Sequence, residues 1–427
     1  MVLRFHFNSI LSRLAFAAGV ILVAGSMAFV IVVRYAIGTL TDYRIAVDRS
    51  TLLVPAWYFP GSPRLNARLA DAELFESDRD LQLAEHHAKA AVELSPYDFH
   101  NYLTLALVKE AEGDRFAAQQ QLELARSLAP HDASVRWRLA NVLLRQGKLA
   151  EALPEFRLGL ASNVLYLRGA LDLVWRASRG NVEAVKSITS EDSRAQLTLA
   201  EFLVRQSRFS DAASVFALVD RADRMAAPES TAVVNSLITA GRYDVARQLW
   251  RSMVRENEKD AVIWNGGFDS DVQKNFAQFD WAFARSEYAR PSIDSGVSHG
   301  GTRSLKVEFL GRDTTTLDGE VKQMVLVSPG VRYRIECWVK TASFVTPEGP
   351  KLVAADVTTG AWLGSSEPIS EGTSDWHRIQ LEFIAPQANA AGACAVYVSL
   401  KRKPRFSYDD PTKGTIWLDD FSMSEAR

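Results

Sequence analysis

The chain has 427 residues, with 49 Lys plus Arg against 51 Asp plus Glu and 47% hydrophobic residues. That apolar content excludes wholesale disorder, the length implies two or three domains, and a net charge of -2 gives no global electrostatic drive toward nucleic acid. Two cysteines exclude a disulfide-stapled scaffold and an all-cysteine zinc site.

The first element is apolar. Leu14 to Val33 carries no charge and is bounded by Arg13 and Arg34. Twenty residues at about 1.5 Å rise span roughly 30 Å, the hydrocarbon thickness of a bilayer. Ala24, Gly25 and Ser26 offer a small-residue cleavage site. The apolar run nevertheless outlasts a signal-peptide core of about 7–15 residues, so an uncleaved signal anchor is expected. Residues 1–40 read as tail and anchor, and 41–63 as a linker. Arg4 and Arg13 before the helix balance Arg34, Arg44 and Arg49 after it, so bases alone do not set orientation. A short tail before a large remainder favours a single-pass protein of the inner (cytoplasmic) membrane, with its bulk in the periplasm or outside the cell.

Residues 64–260 repeat with a period of 34. The pairs Pro96 and Pro130, Gly113 and Gly147, Ala106 and Ala140, Ala91 and Ala125, and Ala118 and Ala152 share that spacing. So do Ala212 with Ala246 and Phe216 with Trp250. Such self-similarity predicts stacked helical hairpins, each covering an apolar face its neighbour cannot cover alone. The pattern of small residue, turn Gly, Ala, aromatic and Pro resembles tetratricopeptide repeats. In the unit from Ala133 it is carried by Ala140, Gly147, Ala152 and Phe156, with Val164 in place of the last Pro. Leu122 takes the aromatic place in the unit from Phe99. The unit near 65 is weaker, and 167–192 is short and degenerate, so five to six hairpins are expected. The resemblance implies a concave surface for a protein partner. The repeat residues themselves read as packing. His86 and His87 are adjacent and cannot chelate one metal from the same helix face, so they read as surface residues.

Residues 261–427 change character. Ser304–Leu310, Tyr333–Lys340, His377–Ile384, Ala393–Leu400 and Thr415–Met423 alternate apolar and polar residues between Gly-, Pro- and Ser-rich turns. This predicts an antiparallel two-sheet sandwich, a jelly roll of eight or more strands. The order of Asn265-Gly266-Gly267-Phe268-Asp269, Phe279-Asp280-Trp281, Gly300-Gly301-Thr302-Arg303-Ser304-Leu305-Lys306-Val307, Pro329-Gly330-Val331-Arg332-Tyr333, Trp338-Val339-Lys340 and Trp417-Leu418-Asp419-Asp420-Phe421 resembles the galactose-binding-like jelly roll of carbohydrate-binding modules. That resemblance implies two things. A structural calcium would sit on Asp269, Asp419 or Asp420, whose oxygens suit a hard cation. A glycan would stack on exposed aromatic planes, for which Trp281, Trp338, Trp362 and Tyr408 are the candidates. Each Trp has a competing reading as core, and each Asp as a turn cap or a solvated side chain. The segment Lys401–Asp410 reads as a basic loop with two aromatics, for which a solvated loop is the first reading and a contact with an acidic polysaccharide the second. Cys337 and Cys394 both fall on apolar strand faces; a bond between adjacent strands and two buried thiols both fit.

No HExxH, phosphate loop or dinucleotide fingerprint occurs. The fold class expected is a transmembrane helix, an all-α hairpin solenoid and an all-β jelly roll. The function expected is a non-enzymatic, membrane-tethered scaffold in cell-envelope or extracellular polysaccharide assembly or export. The alternatives are a protein-only assembly factor and a periplasmic polysaccharide hydrolase or lyase with paired carboxylates.

Overall fold

The computed structural model describes residues 10–41, 48–76, 79–254, 262–272, 279–312, 315–406 and 410–426. The chain divides into two compact units, Met1–Ser190 and Glu191–Arg427. The division falls inside the helical array, not at the change from helix to strand near 260.

The first unit opens with α1 (Ile10–Leu40) and α2 (Arg49–Tyr58). Leu14–Leu40 is long and apolar enough to cross a membrane. Helices α3 (Pro63–Phe75), α4 (Leu81–Leu94), α5 (Phe99–Glu112), α6 (Arg115–Leu128), α7 (Ala133–Arg145) and α8 (Leu149–Ser162) form three hairpins. The shorter α9 (Leu167–Ala177) and α10 (Val182–Ile188) close the unit. Side-chain oxygens of Ser62, Asp80, Asp98, Asp114 and Asp132 accept backbone N–H bonds at the starts of α3 to α7. They satisfy donors that a helix leaves open in its first turn. Gly113 and Gly147 turn the chain after α5 and α7 at φ of 86° and 78°, where a side chain would be strained.

The periodic residues are packing, as their small size predicts. Ala91, Ala106, Ala118, Ala125, Ala140 and Ala152 are buried, and Leu122 and Phe156 fill the space between helices. Buried Glu155 on α8 pairs with Arg126 of α6 at 2.6 Å and with Arg136 of α7 at 2.5 Å. His87 lies half-buried against Asn66, its Nδ1 3.0 Å from Oδ1. The stretch 41–63, expected as a linker, contains α2, whose Leu52 is fully buried against Leu65 and Leu69.

The second unit contains α11 (Ser193–Arg205), α12 (Phe209–Leu218), α13 (Arg221–Ala226), α14 (Pro228–Thr239) and α15 (Tyr243–Arg251), then the strands. Ala212, Ala246, Phe216 and Trp250 are all fully buried. The strands are β1 (Ala282–Phe283), β2 (Ala289–Asp294), β3 (Ser304–Arg312), β4 (Leu317–Leu326), β5 (Arg332–Val345), β6 (Lys351–Asp356), β7 (Trp362–Ser365), β8 (Gly372–Ile384), β9 (Ala395–Arg402) and β10 (Thr412–Glu425). They form two five-stranded antiparallel sheets, ordered β1-β4-β9-β6-β7 and β2-β3-β10-β5-β8. The core between them holds Leu305, Val307, Phe309, Ile335, Cys337, Val339, Leu381, Phe383, Val396 and Val398. These are the faces that the alternation predicts.

Within this unit the last hairpin meets the sandwich. Trp250 of α15 packs edge-on against Trp264 and Phe279, with ring centroids 5.0 and 5.7 Å away. Asn389 in the β8–β9 loop donates from Nδ2 to the Gly241 carbonyl at 2.8 Å. Cys337 and Cys394 are free and buried. Cys337 belongs to β5, whereas Cys394 leads into β9 of the other sheet, so the two never lie on adjacent strands. Burial pushes both thiols up, which keeps them protonated and inert.

Candidate functional site

The sequence motifs at the start and end of the sandwich build one structural corner. Asn265 brackets Ser270, donating to its carbonyl and accepting from its N–H. Phe421 donates its N–H to the Gly266 carbonyl at 2.9 Å. A Cβ on Gly266 would stand 2.2 Å from the Phe421 carbonyl oxygen, so the close strand approach requires glycine. Trp281 fills this corner, packing on Phe268 and Phe421. Its indole N–H donates to the Asn265 carbonyl at 3.1 Å. Trp281 is fully buried, so it is a core residue and offers no plane to a sugar. That corrects its place among the glycan candidates.

Asp269, Asp419 and Asp420 meet at the same corner. A Cβ on Gly267 would lie 3.5 Å from Asp420 Oδ1, 3.6 Å from Asp269 Oδ2 and 3.9 Å from Asp419 Oδ1. Each carboxylate already has partners. Asp419 accepts from the N–H groups of His299, Gly300 and Asp420. Asp269 accepts from the Thr302 N–H and hydroxyl at 2.7 and 2.9 Å. Asp420 Oδ2 lies 2.6 Å from His299 Nδ1. Burial pushes the Asp419 carboxyl up; the Asp420 charge adds to this, and the backbone N–H bonds pull the other way. Among the described residues, no group of three His, Cys, Asp or Glu is spaced to hold a metal ion. As arranged, the three acids tie loops together.

Trp338 projects from the outer face of β5, as its position opposite Cys337 predicts. It is half-buried. The His299 imidazole stacks on it at 4.0 Å between centroids and 15° between planes. Trp376 of β8 meets the same imidazole edge-on at 5.6 Å. One face of Trp338 is therefore taken. The strand face around it is charged, with Arg334–Glu382 at 2.6 Å, Lys340–Asp375 at 2.7 Å and Arg378–Glu336 at 3.4 Å.

Trp362 is the open ring. It starts β7, the edge strand of the other sheet, not a loop as its Gly- and Ser-rich setting suggests. It is 42% exposed. The ammonium groups of Lys403 and Lys401 lie 5.1 and 5.9 Å from its ring centroid. Lys401 is in register with Lys351 on the neighbouring β6. Thus the basic segment does converge on a glycan candidate, a meeting that sequence reasoning does not foresee. Part of that segment is not a loop: Arg402 ends β9 and is buried, donating to the carbonyls of Glu348 and Thr315. Tyr408 lies outside the described residues.

The first unit has a pocket of its own, of about 330 Å³, across α3, α5 and α7. Arg68, Asp71 and Phe75 face Leu103, Thr104 and Arg138 there. Burial raises the Asp71 carboxyl to about 6, against the pull of the Arg68 and Arg138 guanidiniums. A charged and apolar groove across consecutive first helices suits an extended peptide with polar anchors.

Residues 103–163, within α5 to α8 and the residue after it, match the tetratricopeptide repeat family model. No curated protein matches the sequence. Among solved structures, YrrB, a TPR protein with an unusual peptide-binding site, is 15% identical over 47% of this chain and 90% of its own, with a TM-score of 0.26. TTC0263, a thermophilic TPR protein in Thermus thermophilus, is 14% identical over 48% of this chain and 88% of its own, with a TM-score of 0.26. TmCBM61, solved in complex with beta-1,4-galactotriose, is 18% identical over 39% of this chain and 100% of its own, with a TM-score of 0.26. Likenesses of this size carry no argument about ligands. The fold class stands on the hairpins and the two sheets.

Proposed function

We propose that the protein is a non-enzymatic, membrane-tethered scaffold whose repeats hold a protein partner and whose sandwich holds an acidic glycan. The observation that carries the glycan half is Trp362, an exposed indole flanked by the ammonium groups of Lys401 and Lys403. A planar ring suits the C–H face of a pyranose, and the ammonium groups beside it, of which that of Lys401 also pairs with Asp318 at 2.6 Å, suit a carboxylate or sulfate on it. The role in cell-envelope or extracellular polysaccharide assembly or export, and the placement of the bulk of the chain in the periplasm or outside the cell, rest on the combination of anchor, repeats and sandwich. Calcium belongs to this proposal as a stabiliser of the corner formed by Asp269, Asp419 and Asp420, which would have to turn from their present partners to bind it.

A second reading has its own support. Trp281 is core and one face of Trp338 is covered, which favours a protein-only assembly factor. A glycan array probed with the full chain, with and without calcium, separates the two. The scaffold reading expects binding to acidic glycans that Trp362→Ala abolishes. Silence across neutral and acidic glycans, from a folded chain, favours the protein-only factor.

A further inference from the structure

Helix α2 is oddly placed for a helix in water. Residues 50–63 contain no charged side chain. Its inward row is Leu52 and Ala56, which pack with Ile37 and Leu40 of α1 and with Leu65 and Leu69 of α3. Arg49 fixes its start, pairing with Glu73 at 2.6 Å and donating its N–H to Glu76 at 2.9 Å. The outward rows are Leu53 with Trp57 and Val54 with Tyr58, each pair four residues apart and so stacked on one side. Trp57 is 76% exposed, and Tyr58, Val54 and Leu53 are exposed beside it. Phe59 extends the patch. A contiguous apolar and aromatic surface of this kind is uncommon on a protein face meant for solvent.

What covers this face follows from where α2 sits. Phe29, Val33 and Ile37 of α1 and Tyr58, Phe59 and Pro60 enclose a common cleft of about 610 Å³. The end of α2 therefore lies beside the stretch of α1 centred on Val33 and Arg34. That is where the charge-free run of α1 ends and the chain would leave the hydrocarbon. Tyr and Trp concentrate at that depth, because their rings are apolar and their N–H and O–H groups reach the headgroups.

We propose that α2 is an interfacial helix lying in the headgroup region of the membrane that α1 crosses, so that the first hairpin is seated on the bilayer surface. This rests on the reading of α1 as a membrane span. The occupant of the apolar face is lipid, and the surface continues the one that α1 presents. Leu52 and its neighbours make the joint rigid, so the repeats do not swing on a tether.

The test uses the full chain in phosphatidylcholine–phosphatidylglycerol vesicles. A fluorophore is placed at Val54→Cys, at Leu53→Cys in a second variant, and at Phe116→Cys, which is exposed on α6. Cys337 and Cys394 are buried and stay unlabelled. Carbonate extraction reports separately on the anchor. The expected result is a carbonate-resistant chain whose labels at 53 and 54 lose emission to lipids carrying a shallow quencher and resist iodide in the buffer. The label at 116 behaves the opposite way. Labels at 53 and 54 that iodide quenches as it quenches 116, on a carbonate-resistant chain, overturn the seating and leave the anchor standing. Release of the chain by carbonate overturns the anchor reading and the seating with it.

Discussion

Asp71 shows how one carboxyl in the repeat groove trades stability for a potential contact. Its pKa is raised from 3.8 to about 6, with burial as the chief cause. A raised carboxyl pKa means the folded chain holds the proton more tightly than the unfolded chain. Its favourable contribution is complete below about 4 and is lost as pH rises through about 6. The cost at neutral pH is at most about 3 kcal/mol, at about 1.4 kcal/mol per unit. Asp71→Asn is therefore expected to stabilise the first unit at pH 7.5, with the gain fading toward pH 4; denaturant melts at both values check it. Equal stability at pH 7.5 would show that Arg68 and Arg138 fully compensate the burial. At the same scale, the motifs identify the right corner of the sandwich and misjudge one residue in it. Trp281 and Trp362 are the same residue type, and each stands beside an alanine and a larger apolar residue. Only the packing of Phe268 and Phe421 on Trp281, and the edge position of β7, separate core from surface. Neither is written in local sequence.

Elements with a clean period are legible, and those without one are not. The 34-residue spacing places the helices because the same alanines recur at contacts between them. Strands β3, β5, β8, β9 and β10 each contain an alternating stretch and can be read from it. Strand β2 carries Pro291, which suits an edge and hides the strand. Strand β6 is buried on both faces from Leu352 to Ala355, so it does not alternate. Strand β4 contains Gly319 and a register shift between Asp318 and Lys322, and its Gln323 is buried to bond the Trp264 backbone. Helix α2 escapes a sequence reading because Pro55 and a single turn of inward contacts resemble a linker. The meeting of α15 with the sandwich is also invisible, since Trp250 fits the repeat pattern as an ordinary aromatic. Removing it opens a cavity among Trp264, Phe279 and the hairpin. Trp250→Ala is expected to cost about 3–5 kcal/mol. Far-ultraviolet helical signal and the near-ultraviolet signal of the sandwich should then melt earlier together. Earlier loss of the helical signal alone would show that the two parts of the second unit fold independently.

For the whole molecule, the parts divide their labour by chemistry. One apolar helix is long enough to cross a membrane. The stacked hairpins present a groove with Arg68, Asp71 and Arg138, suited to polar anchors on a peptide. The sandwich places one exposed indole and its lysines at a sheet edge, away from the corner that its motifs build. The scaffold proposed above would need two binding surfaces and a fixed location. The glycan surface is the part on which the account depends most. The decisive measurement is calorimetric titration of the full chain in detergent with a uronic-acid oligosaccharide at low and high salt. The account predicts binding that weakens with salt, is lost in Trp362→Ala, and loses much of its salt dependence in the double variant Lys401→Gln with Lys403→Gln. Binding unchanged in Trp362→Ala, or uronic-acid binding as strong and as salt-sensitive in the lysine variant as in the parent, would contradict it.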